Sequence, residues 1–334
     1  MSGDDAGLIL RALAARTESG APSRSVFVLG GFHERRVSLP SQQRRAINLA
    51  WALNARGRLE PKRLVAVVGG GVAGATFAVT AAATGDAEVV LIDEHEEPIT
   101  TQRASAERFL SPNLFDWPNQ AWRKREGNLP FMNWRAAHAD EVRIQLLNAF
   151  VAQAGERLHY APQHWATAIE EGDGVVRVSG TSIPALLHAG PGWTADVDAV
   201  VVATGFLPEK RVRGTVSGSY WRDSRTSLPP GAHRSPVVVG DGDGALTELF
   251  RIALRGGRRR GLRFRQEQLR GLAGFGIDDS EGSSGFAARW WRSSVRRATA
   301  LIVERSTGSP TSPTLTSDCW MSGFSRQPAR TCAC

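Results

Sequence analysis

Cysteine is nearly missing from this chain, and where it occurs it is far from any redox motif. The three cysteines, Cys319, Cys332 and Cys334, fall in the last sixteen of 334 residues, and no Cys-x-x-Cys pair exists. A dithiol–disulfide relay needs two thiols poised beside a redox group, so that chemistry is excluded. Lysine is almost as scarce: only Lys62, Lys124 and Lys210 among the 41 basic residues, the rest being arginine, a bias that GC-rich coding produces. Long apolar runs are also lacking. None approaches the ~20 residues that a membrane helix requires. Asp4 and Asp5 stand ahead of the short Leu8-Ile9-Leu10 segment, where a secretory signal would carry basic residues. A cytoplasmic soluble protein is the expectation.

The formal charge of +8 invites a nucleic-acid reading, but its location argues against one. Residues 256–334 hold 13 Arg, no Lys and 6 Asp plus Glu, which gives 13 − 6 = +7 and leaves about +1 for the rest. The basicity belongs to the tail and says little about what the body binds.

What is present is concentrated between residues 63 and 94. An apolar run, Leu64 to Val68, enters a G-x-G-x-x-G turn at Gly69, Gly71 and Gly74, and a second apolar run, Val89 to Ile92, closes on Asp93 and Glu94. This pattern predicts a strand–helix–strand unit that holds the ADP half of a dinucleotide. Gly69 allows the tight turn, Gly71 lets the backbone approach the diphosphate, and Gly74 lets the helix pack on the strand. The diphosphate would lie at the helix N-terminus against Gly70, Val72 and Ala73, where unpaired N–H groups and the dipole favour an anion. Asp93 is placed to accept from the ribose hydroxyls. Glu94 is the neighbouring alternative, and a solvated loop acid is the plain one.

Around this unit the pattern predicts a helix over 8–16, a short strand over 25–29, and a helix over 41–53 started by Ser41. Gln42, Gln43 and Arg44 are within reach of a ligand phosphate, although a solvated helix start is the simpler reading. Loops 111–118 and 129–134 carry large rings that either wall a pocket or cover a sheet face. An amphipathic helix is expected over 136–158. A hairpin follows, 165–169 with 175–178, turning at 172–174. A buried strand then ends in Ala203-Thr204-Gly205.

Taken in order, G-x-G-x-x-G, acid, β-meander and an apolar strand ending in Ala-Thr-Gly, the chain resembles the two-dinucleotide-binding-domain flavoproteins. That family of FAD/NAD(P)-binding oxidoreductases includes thioredoxin-reductase-like enzymes and flavin-containing monooxygenases. The resemblance covers roughly residues 63–250 and implies an α/β, Rossmann-like fold with a parallel sheet and a small β-meander. It also implies FAD at Gly69, Gly71, Gly74 and Asp93, with Thr204 and Gly205 beside it, and NAD(P)H as reductant. A second glycine turn, Gly240-Asp241-Gly242-Asp243-Gly244-Ala245, has the family's spacing for an NAD(P)H motif. Asp241 and Asp243 put two negative charges where a diphosphate would dock. A Gly240-Asp241 pair bonding the flavin ribityl chain, and a turn that no longer binds nucleotide, are the competing readings.

Past residue 256 the strand pattern stops where a second domain needs more strands, so the second Rossmann-like unit is expected to be incomplete. The tail resembles a shifted reading frame or a truncated family member. Disorder is expected there, a basic arm for nucleic acid or anionic membrane being the alternative. The expected division is 1–62 helical leader, 63–206 FAD-binding domain with β-meander, 207–256 start of an NAD(P)-binding-like unit, and 257–334 tail. The expected partner is a small-molecule substrate, with no membrane. No acid–base residue stands out: His33, His95, His138 and His159 are scattered. A nucleotide-binding protein without turnover, or a single-Rossmann NAD-dependent dehydrogenase, are the rival functions.

Overall fold

Three short segments, 22–28, 64–68 and 199–202, lie side by side although they are far apart in sequence. The computed structural model of the chain describes residues 3–17, 19–30, 38–106, 108–113, 124–172, 174–182, 192–205 and Trp221. Two units divide the chain, 1–271 and 272–334, and every described residue belongs to the first.

Among the described residues the main sheet has six strands in the order β1 (Ala14–Arg16), β2 (Pro22–Val28), β11 (Ala199–Val202), β3 (Leu64–Val68), β4 (Glu88–Ile92) and β7 (Leu158–Ala161). All neighbours from β2 to β7 are parallel, and β1 closes one edge antiparallel. Val200 pairs with both Val26 and Ala66, so β11 is the central strand that ties the chain's beginning to its nucleotide unit. Parallel strands need cover on both faces, which is why β3, β4 and β11 are nearly continuous apolar runs. Val65, Val67, Val89, Leu91 and Val201 pack into the helix-side core. Their neighbours Ala66, Val68, Ile92 and Val200 pack on the other side with Val176, Val178 and Val197. That second cover is an antiparallel meander of β8 (His164–Glu171), β9 (Val176–Ser182) and β10 (Gly192–Val197).

On the helix side, α2 (Leu39–Ala55) and α3 (Val72–Thr84) run parallel. Near their starts, the Gln43 side chain donates from Nε2 to Met132 O at 2.9 Å and lies 3.4 Å from Thr76 Oγ1. Near their ends, Asn54 Nδ2 donates to Thr84 O at 2.8 Å. Both N-termini therefore point to the same edge of the sheet, the carboxyl edge. The remaining helices are α1 (Gly3–Leu13) and α4 (Ala139–Gln153), and a two-stranded pair joins β5 (Phe109–Leu110) to β6 (Ala137–His138).

The α/β Rossmann-like class is as expected; several boundaries differ. α2 begins at Leu39, not Ser41: Ser38 is the cap, and Ser41 returns its hydroxyl to the Ser38 N–H in a capping box. α1 spans Gly3–Leu13, earlier than the expected 8–16. α4 stops at Gln153, because Leu158 has already entered β7. Residues 1–62 are not a separate helical leader, since β2 sits inside the main sheet against β11. The second glycine turn at 240–245, loop residues 114–118 and the tail lie outside the described residues. Phe27 of β2 is 2% exposed in the helix-side core. Phe27→Ala is expected to lower the urea unfolding stability of the nucleotide-binding unit by about 3–5 kcal/mol, the range for a buried Phe. A detachable leader would leave the midpoint unchanged.

Candidate cofactor-binding site

Both faces of the sheet are covered, so a ligand has only the strand ends. In open α/β sheets the crevice lies beyond the carboxyl ends where the chain leaves neighbouring strands in opposite directions. Here β3 leads through α3 to β4 on one side, while β11 and β2 lie on the other.

The turn after β3 is closed by glycine at the positions where a side chain would collide. Gly69 has φ +105°, a left-handed value, and a Cβ there would stand 2.6 Å from Ala203 O. A Cβ on Gly74 would stand 1.9 Å from Gly69 O. Gly71 is different: its φ is −65° and a Cβ would meet nothing within 4 Å. The protein itself does not require glycine at 71, and the open space before it is the space a ligand needs. Gly71 starts α3 without a side-chain cap, and no acid occupies the helix's first turn. The first N–H groups of a helix have no intrahelical partner, so this end suits an anion. Val72 and Gly74 are buried beneath it, and Ala73 is half-buried.

Asp93 is not a solvated loop acid. Its Oδ2 accepts the Gly70 N–H, and its Oδ1 accepts the His95 N–H at 2.7 Å and faces His95 Nδ1 at 2.9 Å. The carboxylate thus fastens the glycine turn to the end of β4, and a carboxylate has lone pairs left for ribose hydroxyls. Glu94 is exposed, 4.0 Å from His95 Nδ1. Tyr160 donates its hydroxyl to His95 O at 3.1 Å. Burial, then the negative fields of Asp93 and Glu97, push the Tyr160 phenol above its ordinary range, so it remains a protonated donor.

On the far side of the turn, Thr204 and Gly205 are exposed, and Gly205 has φ +85°. A Cβ on Gly30, at the end of β2, would stand 2.6 Å from Gly205 O. The β2, β11 and β3 ends therefore meet at Gly30, Gly205 and Gly69. Gly240, Asp241 and Gly242 lie outside the described residues.

Several residues here escaped the sequence reading. Gln42 is 6% exposed and Gln43 is 0%, so neither belongs to a solvated helix start; Arg44 does. Gln43 also accepts the Trp134 indole N–H at 2.8 Å, which places Trp134 in the helix-side core and off the sheet. The Ile99 N–H donates to Gly70 O at 2.9 Å while Ile99 has φ +61°, a strained value for a β-branched residue. The segment so tied down contains Gln102 and Ser105, buried side chains whose Oε1 and Oγ have no hydrogen-bond partner. Polar side chains read as surface in a sequence, so only their burial reveals them. Of the histidines, His95 serves Asp93, His138 precedes α4, His159 pairs with Glu88 at 2.6 Å, and His33 lies outside the described residues.

Residues 63–246 match the pyridine nucleotide-disulphide oxidoreductase family, over more than half of the chain. The chain belongs to that family. Its cysteines all lie beyond the matched residues. Among solved structures, the lysine monooxygenase NbtG from Nocardia farcinica is 14% identical, with 58% of this chain and 40% of that one covered and a TM-score of 0.30. The ornithine N-hydroxylase KtzI from Kutzneria sp. 744 is 19% identical, with 58% and 42% covered and a TM-score of 0.30. RclA of Escherichia coli, a flavoprotein disulfide reductase, is 15% identical, with 42% and 21% covered and a TM-score of 0.22. The chain thus spans less than half the length of these structures. No curated protein matches it significantly. No described helix is long and apolar enough to cross a membrane.

The glycine geometry separates fold from binding. Gly71→Val is expected to cost under about 1 kcal/mol of stability, since its backbone suits any residue, yet to abolish ADP binding in titration calorimetry. Gly74→Ala is expected to destabilise by about 1–3 kcal/mol or more, the cost of overpacking against fixed backbone.

Proposed function

We propose that the chain is a flavin-dependent oxidoreductase that binds FAD at the carboxyl edge of the β4–β3–β11 strands. NAD(P)H would reduce the flavin, and a small molecule or oxygen would take the electrons. The observation that carries the reading is the uncapped start of α3 beside Gly71, where open space faces a helix end with no acid. That arrangement suits a diphosphate. Asp93, already holding the turn, would take the adenosine ribose with its spare lone pairs. Thr204 and Gly205, exposed beyond β11, would lie beside the other half.

When bound, FAD supplies the electron-accepting ring and NAD(P)H the hydride; the protein supplies position, electrostatics and exclusion of water. α3 sets the diphosphate, Asp93 sets the adenosine end, and the strap at Ile99 covers the turn. Tyr160 keeps its proton and steadies the His95 carbonyl behind Asp93. The site residues offered are Gly69, Gly70, Gly71, Val72, Ala73, Gly74, Asp93, Glu94, Thr204 and Gly205. Gly240, Asp241 and Gly242 are proposed as the nicotinamide-nucleotide turn or a ribityl contact.

The carboxylates of Asp241 and Asp243 favour a second reading, a nucleotide-binding protein without turnover, because two negative charges repel a docking diphosphate. Purified chain separates the readings. A yellow protein bleached by NADH or NADPH without oxygen is the expected result. A yellow protein that neither reductant bleaches would move the assignment to the second reading, and a colourless protein that cannot be loaded with FAD would remove the flavin.

A further inference from the structure

We infer that the N-terminal segment outside the family match completes the cofactor site, with Gln42 of α2 donating a hydrogen bond to the half of the ligand beyond the diphosphate. The inference rests on the flavin reading above. The segment concerned, β2 and α2, precedes residue 63, where the match begins.

Geometry aims Gln42 into the crevice. Around the first turns of α2, Arg45 reaches one way, its Nη1 donating to Leu29 O at 3.3 Å beyond the end of β2. Gln43 reaches the other way, to Thr76 on α3. Gln42 shares a helical stripe with Ala46, Leu49 and Leu53, all 0% exposed, and that stripe faces the sheet. The side chain at the top of the stripe therefore overhangs the strand ends between β2 and α3. Those are the ends where Gly30, Gly205 and Gly69 crowd together. Gln42 Nε2 is itself buried without a hydrogen-bond partner. A buried unpaired amide destabilises the free protein, and a ligand oxygen accepting from it would relieve that cost.

The two helix ends offer different chemistry. α3 is uncapped and presents backbone N–H groups, the chemistry of a diphosphate. α2 has its own cap: Ser38 accepts the Ser41 N–H at 3.2 Å, and Pro40 has no N–H to give. Its available donor is the neutral Gln42 amide, and its first turn holds no acid. A single neutral donor at a weakly positive helix end suits an uncharged oxygen, a ring carbonyl or a sugar-alcohol hydroxyl. The sheet order places that oxygen. Asp93 puts the adenosine side over β4, and β11 and β2 lie on the opposite side of β3, so Gln42 meets the non-adenosine half.

The test compares FAD with ADP on the full-length chain and its Gln42→Met variant, and measures the melting temperature of each apoprotein. FAD is expected to bind about three- to tenfold more weakly to the variant, the scale of one hydrogen bond. ADP affinity should not move, and the variant apoprotein should melt no lower than wild type, because an orphan amide has been removed. Gln42→Glu should weaken FAD at least as much. A fall in melting temperature would make Gln42 a structural residue, and equal FAD affinity in both proteins would remove the assignment while leaving the flavin reading intact. A wild-type chain that binds ADP but not FAD would remove both.

Discussion

The contact on which the site depends is the approach of Gly74 to the carbonyl of Gly69. With room for no side-chain atom between them, the first turn of α3 lies directly on the turn that leaves β3. A bulkier residue would lift the helix and swing its N-terminus off the strand ends. Ala203 of the next strand closes from the other side: its carbonyl bars a Cβ on Gly69, and its methyl would lie 3.1 Å from a Cβ on Gly74. One small-residue cluster thus locks β3, α3 and β11 together. Asp93 adds a fourth element by holding the Gly70 N–H from the end of β4. The glycine turn is therefore held in place by the protein's own contacts.

The strand–helix–strand unit was legible because it is local. Thirty consecutive residues carry the glycines, the apolar runs and the acid, and each signals its own conformation. The β8–β9 hairpin was legible for the same reason, through the turn at residues 172–174, whereas β10 carried no such local signal. β2 was visible as a strand, yet its place was not, because Val26 pairs with Val200 across most of the described chain. Without that pairing, α2 is a helix with no known neighbour, and Gln42 and Gln43 read as its wet end. Their burial follows from α2 lying parallel to α3. The same applies to Trp134, whose loop context fits a pocket wall or a sheet cover equally, and whose indole Gln43 holds in the helix-side core.

The two edges of the sheet differ in how their buried and half-buried polar groups are satisfied. The amino edge carries a hollow of about 610 Å³ lined by Arg24, Arg58, Arg63, Glu171 and Asp198 among others. Its carboxylates are occupied by the protein: Asp198 takes Arg63 at 2.5 Å and the Leu64 N–H at 2.9 Å, and Glu171 takes the N–H groups of Arg24 and Ser25. At the carboxyl edge the balance is reversed. Gln42, in the first turn of α2, has a buried amide nitrogen without a partner, and the strap over the glycine turn holds Gln102 and Ser105 in the same state.

Helix charges sharpen the contrast. α1 and α4 each place two acids in their first turn, Asp4 and Asp5 in one and Asp140 and Glu141 in the other, which offset the positive end of the dipole. α2 and α3 place none. Those are the two helices whose starts overlook the crevice. An acid in either first turn would repel an incoming anion, while its omission forgoes only about 0.3–1 kcal/mol of helix stability. The fold thus leaves both positive ends uncompensated beside the crevice, the uncapped α3 end suited to a full negative charge and the capped α2 end to the partial charge of a neutral oxygen.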